Sequence, residues 1–194
     1  MSTSDAATFT RTIDGEVLPT PGTFVIDPAH THVGFAVRHM MIAKVRGRFT
    51  DVSGTLEVAE DPTQSKVEIE VNTGSVDTRD EQRDAHLRSP DFFDIERYPT
   101  ITFRGAGITL TGDRRFRLDG ELTIRDVTRA LTLDVSFNGL GQDPWGNQRV
   151  GFDASGEVDR EDFGLTWNQA LETGGVLVAK QVRIELEAEF VRQS

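Results

Sequence analysis

The chain holds four histidines, His30, His32, His39 and His86, and the first three fall within ten residues beside Asp27. Imidazole and carboxylate groups so close together first suggest a metal site. The spacing argues against one. On a regular strand His30 and His32 share a face, whereas His39 has the parity of Val33, Phe35 and Val37 and lies on the opposite face. His39 is therefore expected as a buried polar group among apolar neighbours, bonded to backbone or to the head of a ligand. Asp27 and His30 read as a local hydrogen-bonded pair at the start of a strand. Arg104, Arg115, Arg117 and Arg125 would suit an anion, but pairing with carboxylates on neighbouring outer faces accounts for them as well. Trp145, in the turn Gln142 to Asn147, is expected to anchor that turn as a buried aromatic.

Other chemistry is missing from the chain. With no cysteine there is no thiolate nucleophile, disulfide or Cys-based metal site. No G-x-S-x-G, H-E-x-x-H, G-x-x-x-x-G-K-[ST] or G-x-G-x-x-G motif occurs, which lowers the case for an enzyme. Asp162-Phe163-Gly164 stands without the other motifs of a kinase and carries no weight.

The elements that must position these residues are strands. Val67/Ile69/Val71, Phe116/Leu118/Leu122/Ile124, Leu131/Leu133/Val135/Phe137, Val150/Phe152/Ala154/Val158 and Val182/Ile184/Leu186/Phe190 each alternate with polar or charged residues. Val33/Phe35/Val37, Val45/Phe49 passing into Val52/Leu56/Val58, and Ile101/Phe103 passing into Ile108/Leu110 are less regular. The parity slips after Phe49 and across Gly105-Ala106-Gly107 read as bulges. This makes about eight long antiparallel strands, whose apolar faces either a sandwich or an up-and-down barrel would close, and the mostly local turns favour the barrel. Residues 1–22 read as a flexible arm and 23–194 as the domain.

One stretch breaks the period. Thr78-x-x-Glu81 reads as a capping box, Asp84 and Arg88 as an i,i+4 pair, and Ser89-Pro90 as a stop, giving a helical segment near 79–94. With Leu87 and the cluster Phe92/Phe93/Ile95 it suits a place across a barrel mouth, and an ordinary barrel plug accounts for it as well. Met40-Met41-Ile42-Ala43 reads as a second short helical turn.

Charge narrows the partners. Lys and Arg number 21 against 32 Asp and Glu, a net charge of −11 that repels nucleic acid and anionic surfaces. Met1 to Thr12 shows no secretory pattern and no segment reaches a membrane span, so the expectation is a cytoplasmic protein without stable membrane insertion.

Several ordered pieces carry a resemblance running from about Phe24 to Phe190. They include Asp27-x-x-His30-Thr31-x-x-x-Phe35-x-x-x-His39, Arg46-Gly47-x-Phe49, and His86-Leu87-x-Ser89-x-x-Phe92-Phe93-Asp94. Tyr98-Pro99-x-Ile101-x-Phe103, Gly120-x-Leu122-Thr123-Ile124-Arg125 and Arg160-x-Asp162-Phe163-Gly164-Leu165 follow. Together they resemble the YceI-like family. The resemblance implies an extended, all-β, lipocalin-like barrel of eight antiparallel strands. Its cargo would be a long-chain amphiphile: an isoprenoid quinone, a polyprenyl compound or a fatty acyl lipid. It allows a homodimer and calls for no separate cofactor. The side chains expected to meet such a cargo are Phe35, Val37, His39, Phe49, Leu56, Ile69, Leu87, Phe92, Phe93, Phe103, Leu122, Leu133, Val135, Phe137, Phe152 and Ile184. Binding, storage or transport of that lipid is the expected function. A quinone-linked redox helper using His39, or an interaction module with a filled barrel, are the alternatives.

Overall fold

In the structure, a computed structural model describing residues 9–194, the period-two segments become antiparallel strands. Two short ones come first, β1 (Thr10–Ile13) and β2 (Glu16–Pro19), paired only with each other. Then come β3 (Gly22–Ile26), β4 (His32–His39), β5 (Ala43–Phe49), β6 (Val52–Val58), β7 (Lys66–Asn72) and β8 (Val76–Asp77). Among the described residues one α-helix follows, α1 (Glu81–Arg88). Five long strands complete the chain: β9 (Thr100–Gly112), β10 (Arg115–Ile124), β11 (Val127–Gln142), β12 (Gln148–Asp159) and β13 (Val178–Arg192).

Eight strands, in the order β3-β6-β7-β9-β10-β11-β12-β13, close into an antiparallel barrel through the β12–β13 and β13–β3 pairings. Strand β13 is long enough to hold two neighbours on one edge. Phe190 pairs with Ile26 of β3 near one end, and Ile184 with Phe35 of β4 nearer the other. The β4–β5 hairpin thus continues the wall toward the end where α1 lies. Alternation decides which residues face inward. On β11 Leu131, Leu133, Val135 and Phe137 are buried while Thr132 and Asp134 are exposed. The slip across Gly105 to Gly107 is a bulge: Asp119 pairs with Gly107 and Gly120 with Gly105, leaving Ala106 unpaired. Glycine is required by close approach at Gly47, opposite Phe35, and at Gly120, beside Phe103, where a Cβ would collide with the ring.

Five local expectations need correction. The slip after Phe49 is a break between two strands: β5 pairs with β4 and β8, whereas β6 pairs with β3 and β7. Met40 and Met41 are left-handed, with φ of 53° and 59°, and form a hairpin turn rather than a helical one. The helix is capped by Asp80, whose carboxylate accepts from the Arg83 N–H at 3.0 Å, and Thr78 lies one strand-end earlier. Asp84 does not pair with Arg88 but accepts from the N–H and hydroxyl of Thr78, both residues being buried. Trp145 is 83% exposed, because Asp143 holds its turn by accepting from the N–H groups of Trp145 and Asn147.

The arm read at 1–22 is partly structured. Asp14 and Gly15, with φ of 50° and 88°, turn β1 back onto β2, and Leu18 packs against the core. Asp14-Gly15 between short alternating runs is a hairpin signal that the polarity of the segment hid. Residues 1–8 of that arm lie outside the described residues.

Candidate functional site

The inward faces do not fill the barrel. A cavity of about 600 Å³ opens at the end covered by α1, and a second of about 490 Å³ lies at the end covered by the β1–β2 hairpin. Ile69, Phe103, Leu133 and Leu186 line both, so the two compartments meet at the waist of the barrel. The structure brings the sequence-derived residues together around this space. The helix-end compartment takes Phe35, Val37, His39, Phe49, Leu87, Phe92, Phe93, Leu122 and Ile184, and the hairpin-end compartment takes Leu56, Val135, Phe137 and Phe152.

At the helix end, aromatic rings run from wall to cover. Phe35 meets Phe49 and Phe49 meets Phe93, each with ring centroids 5.7 Å apart. Phe92 and His86 pack on Trp167 at 5.5 Å and 4.6 Å. The cover is fastened by polar side chains. Arg88 donates to the carbonyls of Gly74 and Val76, Arg83 to the hydroxyl and carbonyl of Thr78, and Ser89 to the carbonyl of His86. His39 has the inward parity read from the sequence but stands half-buried at the mouth rather than deep in the lumen.

Arg160 is the unusual group here. Only 4% exposed, it sits at the mouth without a carboxylate partner among the described residues. Its guanidinium instead donates to the carbonyls of Leu165, Trp167, Val178 and Ala179 at 2.6 to 3.3 Å. Burial pushes its pKa down, yet four carbonyl acceptors and the high intrinsic pKa of arginine keep it charged. Arg160 thereby ties the segment after β12 to the start of β13 and places Leu165 and Trp167 over the lumen.

The hairpin end is built from phenylalanine. Phe152 contacts Phe116, Phe137 and Phe190 at centroid distances of 6.4, 5.4 and 6.2 Å. Arg11 of β1 donates to the carbonyls of Pro19, Ala59 and Glu60, and Arg192 to the carbonyls of Thr20 and Pro21. The β1–β2 hairpin is thus secured to the barrel by side chains, not by a strand ladder.

The polar cluster near Asp27 lies on the outer wall, where β3 passes into β4. His30 Nδ1 is 2.9 Å from Asp27 Oδ2, the pair read from the sequence, and Glu189 completes a group of potential metal ligands. Its central position is taken by Arg149, which bonds Asp27, Glu189 and Asp143. The guanidinium bond from Arg149 and then that from His30 hold Asp27 at about 2, well under its usual 3.8. Burial alone would raise Asp143, but bonds from Asn147 and Arg149 outweigh it and bring Asp143 to about 2. The Asp27 bond raises His30 in turn. This is a clamp that holds the interrupted wall strand. Of the four arginines read as outer-face partners, Arg104 pairs with Glu68 at 2.9 Å. Arg125 differs: it is left-handed in the β10–β11 turn and lies 5.5 Å from the Tyr98 ring.

Sequence reasoning gave no role to Trp167, Arg160 or the β1–β2 hairpin. The last two had signals, an arginine opening the Arg160 to Leu165 motif after a long strand and the Asp14-Gly15 turn. Trp167 had none, because the segment between β12 and β13 has no period.

Comparison with known proteins agrees with this architecture. A model of the YceI-like domain matches residues 24–190. A UPF0312 protein of Staphylococcus aureus is 37% identical over 169 residues, 86% of this chain and 96% of the relative. Among solved structures, BcnA of Burkholderia cenocepacia superposes with a TM-score of 0.74 at 22% identity, covering 84% of this chain and 98% of that one. The YCEI protein of Campylobacter jejuni gives 0.69 at 28%, covering 87% and 96%. A polyisoprenoid binding domain from Saccharophagus degradans gives 0.68 at 12%, covering 90% and 100%. No helix among the described residues is long and apolar enough to cross a membrane. With most of its length matched by the family model, and with the barrel that family's structures share, the chain belongs to the YceI-like domain family.

Proposed function

We propose that the barrel binds, stores or transports one long-chain amphiphile, an isoprenoid quinone, a polyprenyl compound or a fatty acyl lipid, as a non-catalytic carrier in the cytoplasm. The observation that carries this reading is the pair of apolar compartments that meet at Ile69, Phe103, Leu133 and Leu186. A long tail suits such a space better than a compact ligand. Each buried CH2 contributes about 0.8 kcal/mol, so a dozen carbons give on the order of 10 kcal/mol before the entropy of ordering the chain is subtracted. The polyisoprenoid binding domain of Saccharophagus degradans uses the same fold, which makes the barrel compatible with that class of cargo. The head group is assigned to the helix end, where His39, Gln82 and His86 reach the cavity, and the tail to the phenylalanine-lined hairpin end.

Trp167 supplies the test. It lines the cavity while Trp145 is exposed, so Trp145→Phe leaves one tryptophan reporting on the mouth. Titration with a menaquinone, a polyprenol and a long-chain fatty acid is expected to give a saturable change in Trp167 emission with at least one of them. No saturable response to any of the three would contradict the reading.

A further inference from the structure

From Pro28 to Thr50 the chain runs for 23 residues without a carboxylate, although Asp and Glu number 32 in 194 residues. The same stretch carries Arg38, Lys44, Arg46 and Arg48, so the β4–β5 hairpin is cationic on a protein whose net charge is −11. Arg48 is paired with Asp77 at 3.2 Å, whereas among the described residues Arg38, Lys44 and Arg46 form no ion pair. Arg38 and Lys44 are register partners, and both are exposed. Like charges on directly opposed rungs disfavour strand pairing. Of the carboxylates on the adjoining elements, Glu161 is engaged with Lys180 and Glu185 with Arg183, while Glu187 lies farther from the tip, opposite His32.

The tip of the hairpin is apolar. Its turn is closed by the Ile42 N–H donating to the His39 carbonyl at 3.1 Å, with Met40 and Met41 both left-handed. Three residues, Met40 to Ile42, join the paired His39 and Ala43; Asn-Gly fills two successive left-handed positions with little strain, and two methionines there carry a conformational cost. In return the turn presents apolar side chains to solvent: Met41 is 66% and Ile42 81% exposed. Val176 adds to them from the segment whose Leu177 carbonyl accepts the Met40 N–H at 2.8 Å. Behind this tip stand the three unpaired cations, and Arg38 and His39 also reach the opening of the helix-end cavity.

We infer that the β4–β5 hairpin docks the helix end of the barrel onto an anionic lipid surface. Met41 and Ile42 enter the headgroup layer, and Arg38, Lys44 and Arg46 meet lipid phosphates. A convex three-residue tip suits insertion among headgroups better than the flat contact of a protein interface. Docking of this kind is peripheral, and the acidic remainder of the surface keeps the rest of the protein away from the bilayer. Its purpose, bringing the cavity mouth to a source or sink of lipid, rests on the carrier reading; the docking itself does not.

The test sediments the full chain with vesicles of phosphatidylcholine alone and of phosphatidylcholine mixed with phosphatidylglycerol. Binding to the mixed vesicles is expected to be at least about tenfold stronger, from three cations near an anionic surface, and to weaken with salt. Arg38→Glu combined with Lys44→Glu should remove that preference. A second variant guards against misfolding: Met40→Asn with Met41→Gly gives the turn its favoured residues, so the melting temperature should hold or rise while vesicle binding falls. Failure of the wild type to bind the mixed vesicles, or binding that survives both variants unchanged, would overturn the inference. Lipid uptake from a detergent-free dispersion separates the two readings. A chain that docks but takes up no lipid contradicts the carrier alone, and one that takes up lipid but does not dock contradicts this inference alone.

Discussion

The two ends of the barrel are closed by different devices, and in each an arginine does the fastening through backbone carbonyls. At the helix end Arg160 is buried and serves four carbonyls from two segments. At the hairpin end Arg11 is only partly buried and serves three, at the rim of a two-stranded unit that shares no ladder with the barrel. The difference lies in what water can replace. The carbonyls held by Arg11 are partly buried or exposed, whereas Arg160 holds the carbonyl of buried Leu165 and three that are partly buried, so water replaces Arg160 less completely. The segment between β12 and β13 at the helix end is therefore built into the fold, and the β1–β2 hairpin is a plug applied to it.

Breaking each fastening shows the difference in size. Arg160→Ala is expected to cost on the order of 4 kcal/mol, because one buried and three partly buried carbonyls lose their donor at once and the packing of a buried side chain goes with it. For a domain of this size that lowers the melting temperature by roughly 10 °C. Arg11→Ala is expected to cost about 1 kcal/mol, with the larger consequence in hydrogen exchange, where β1 and β2 should lose protection while β9 to β13 keep theirs. Equal losses from the two substitutions would remove the distinction between the ends.

The cover itself gives a finer contrast. Leu87 and Phe93 line the cavity, but α1 is held by Arg88 and Asp84, which lie outside its lining, and by the bond from Arg83 to Thr78. Phe93→Ser should therefore speed release of a bound lipid about tenfold while lowering stability by only about 1 to 2 kcal/mol, since covers belong to the less stable parts of a fold. Stopped-flow dilution of loaded protein checks this, and an unchanged release rate with a large fall in melting temperature would make the segment a packed plug.

The smallest effect belongs to the outer wall, between the ends. Asp27 is held at about 2 against its usual 3.8, chiefly by the Arg149 bond and then by His30. A carboxylate lowered in this way adds stability that is fully present above 3.8 and is lost as pH falls toward 2. His30, raised by Asp27, contributes in the opposite sense: its share is present below the usual 6.5 and fades as pH rises through its higher folded value. Asp27→Asn is expected to flatten the fall in melting temperature on the acid side and to reduce the His30 contribution near neutrality, leaving the part due to Glu189; an unchanged pH profile of melting temperature would contradict this.

How far the sequence reaches into this arrangement follows from which interactions are periodic. The barrel wall was legible because one apolar and one charged face per strand is a direct imprint of a half-buried sheet, as on β10, β11 and β13. For the same reason inward parity located Leu133, Val135, Phe137 and the other wall residues now found around the lumen. What alternation could not show were the side-chain-to-backbone fastenings. Arg160, Arg11 and Arg88 act through carbonyls distant in sequence, and no local pattern marks a carbonyl as needing a donor. Local rules also competed at α1: both Thr78 and Asp80 are good caps, and Asp80 prevails because Thr78 is engaged with Asp84 and Arg83. Trp145 misled because aromatic residues in turns are usually anchors, whereas here Asp143 organises the turn.

The carrier reading is tested most directly by native mass spectrometry of protein purified without detergent, followed by solvent extraction and identification of what is released. The expected result is a fraction of molecules carrying a single lipid of at least about a dozen carbons, the tail length whose burial outweighs the ordering cost. A clean unliganded mass from several expression hosts, together with no uptake of added polyprenyl, quinone or acyl compounds, would contradict it and leave the barrel a scaffold for some other purpose.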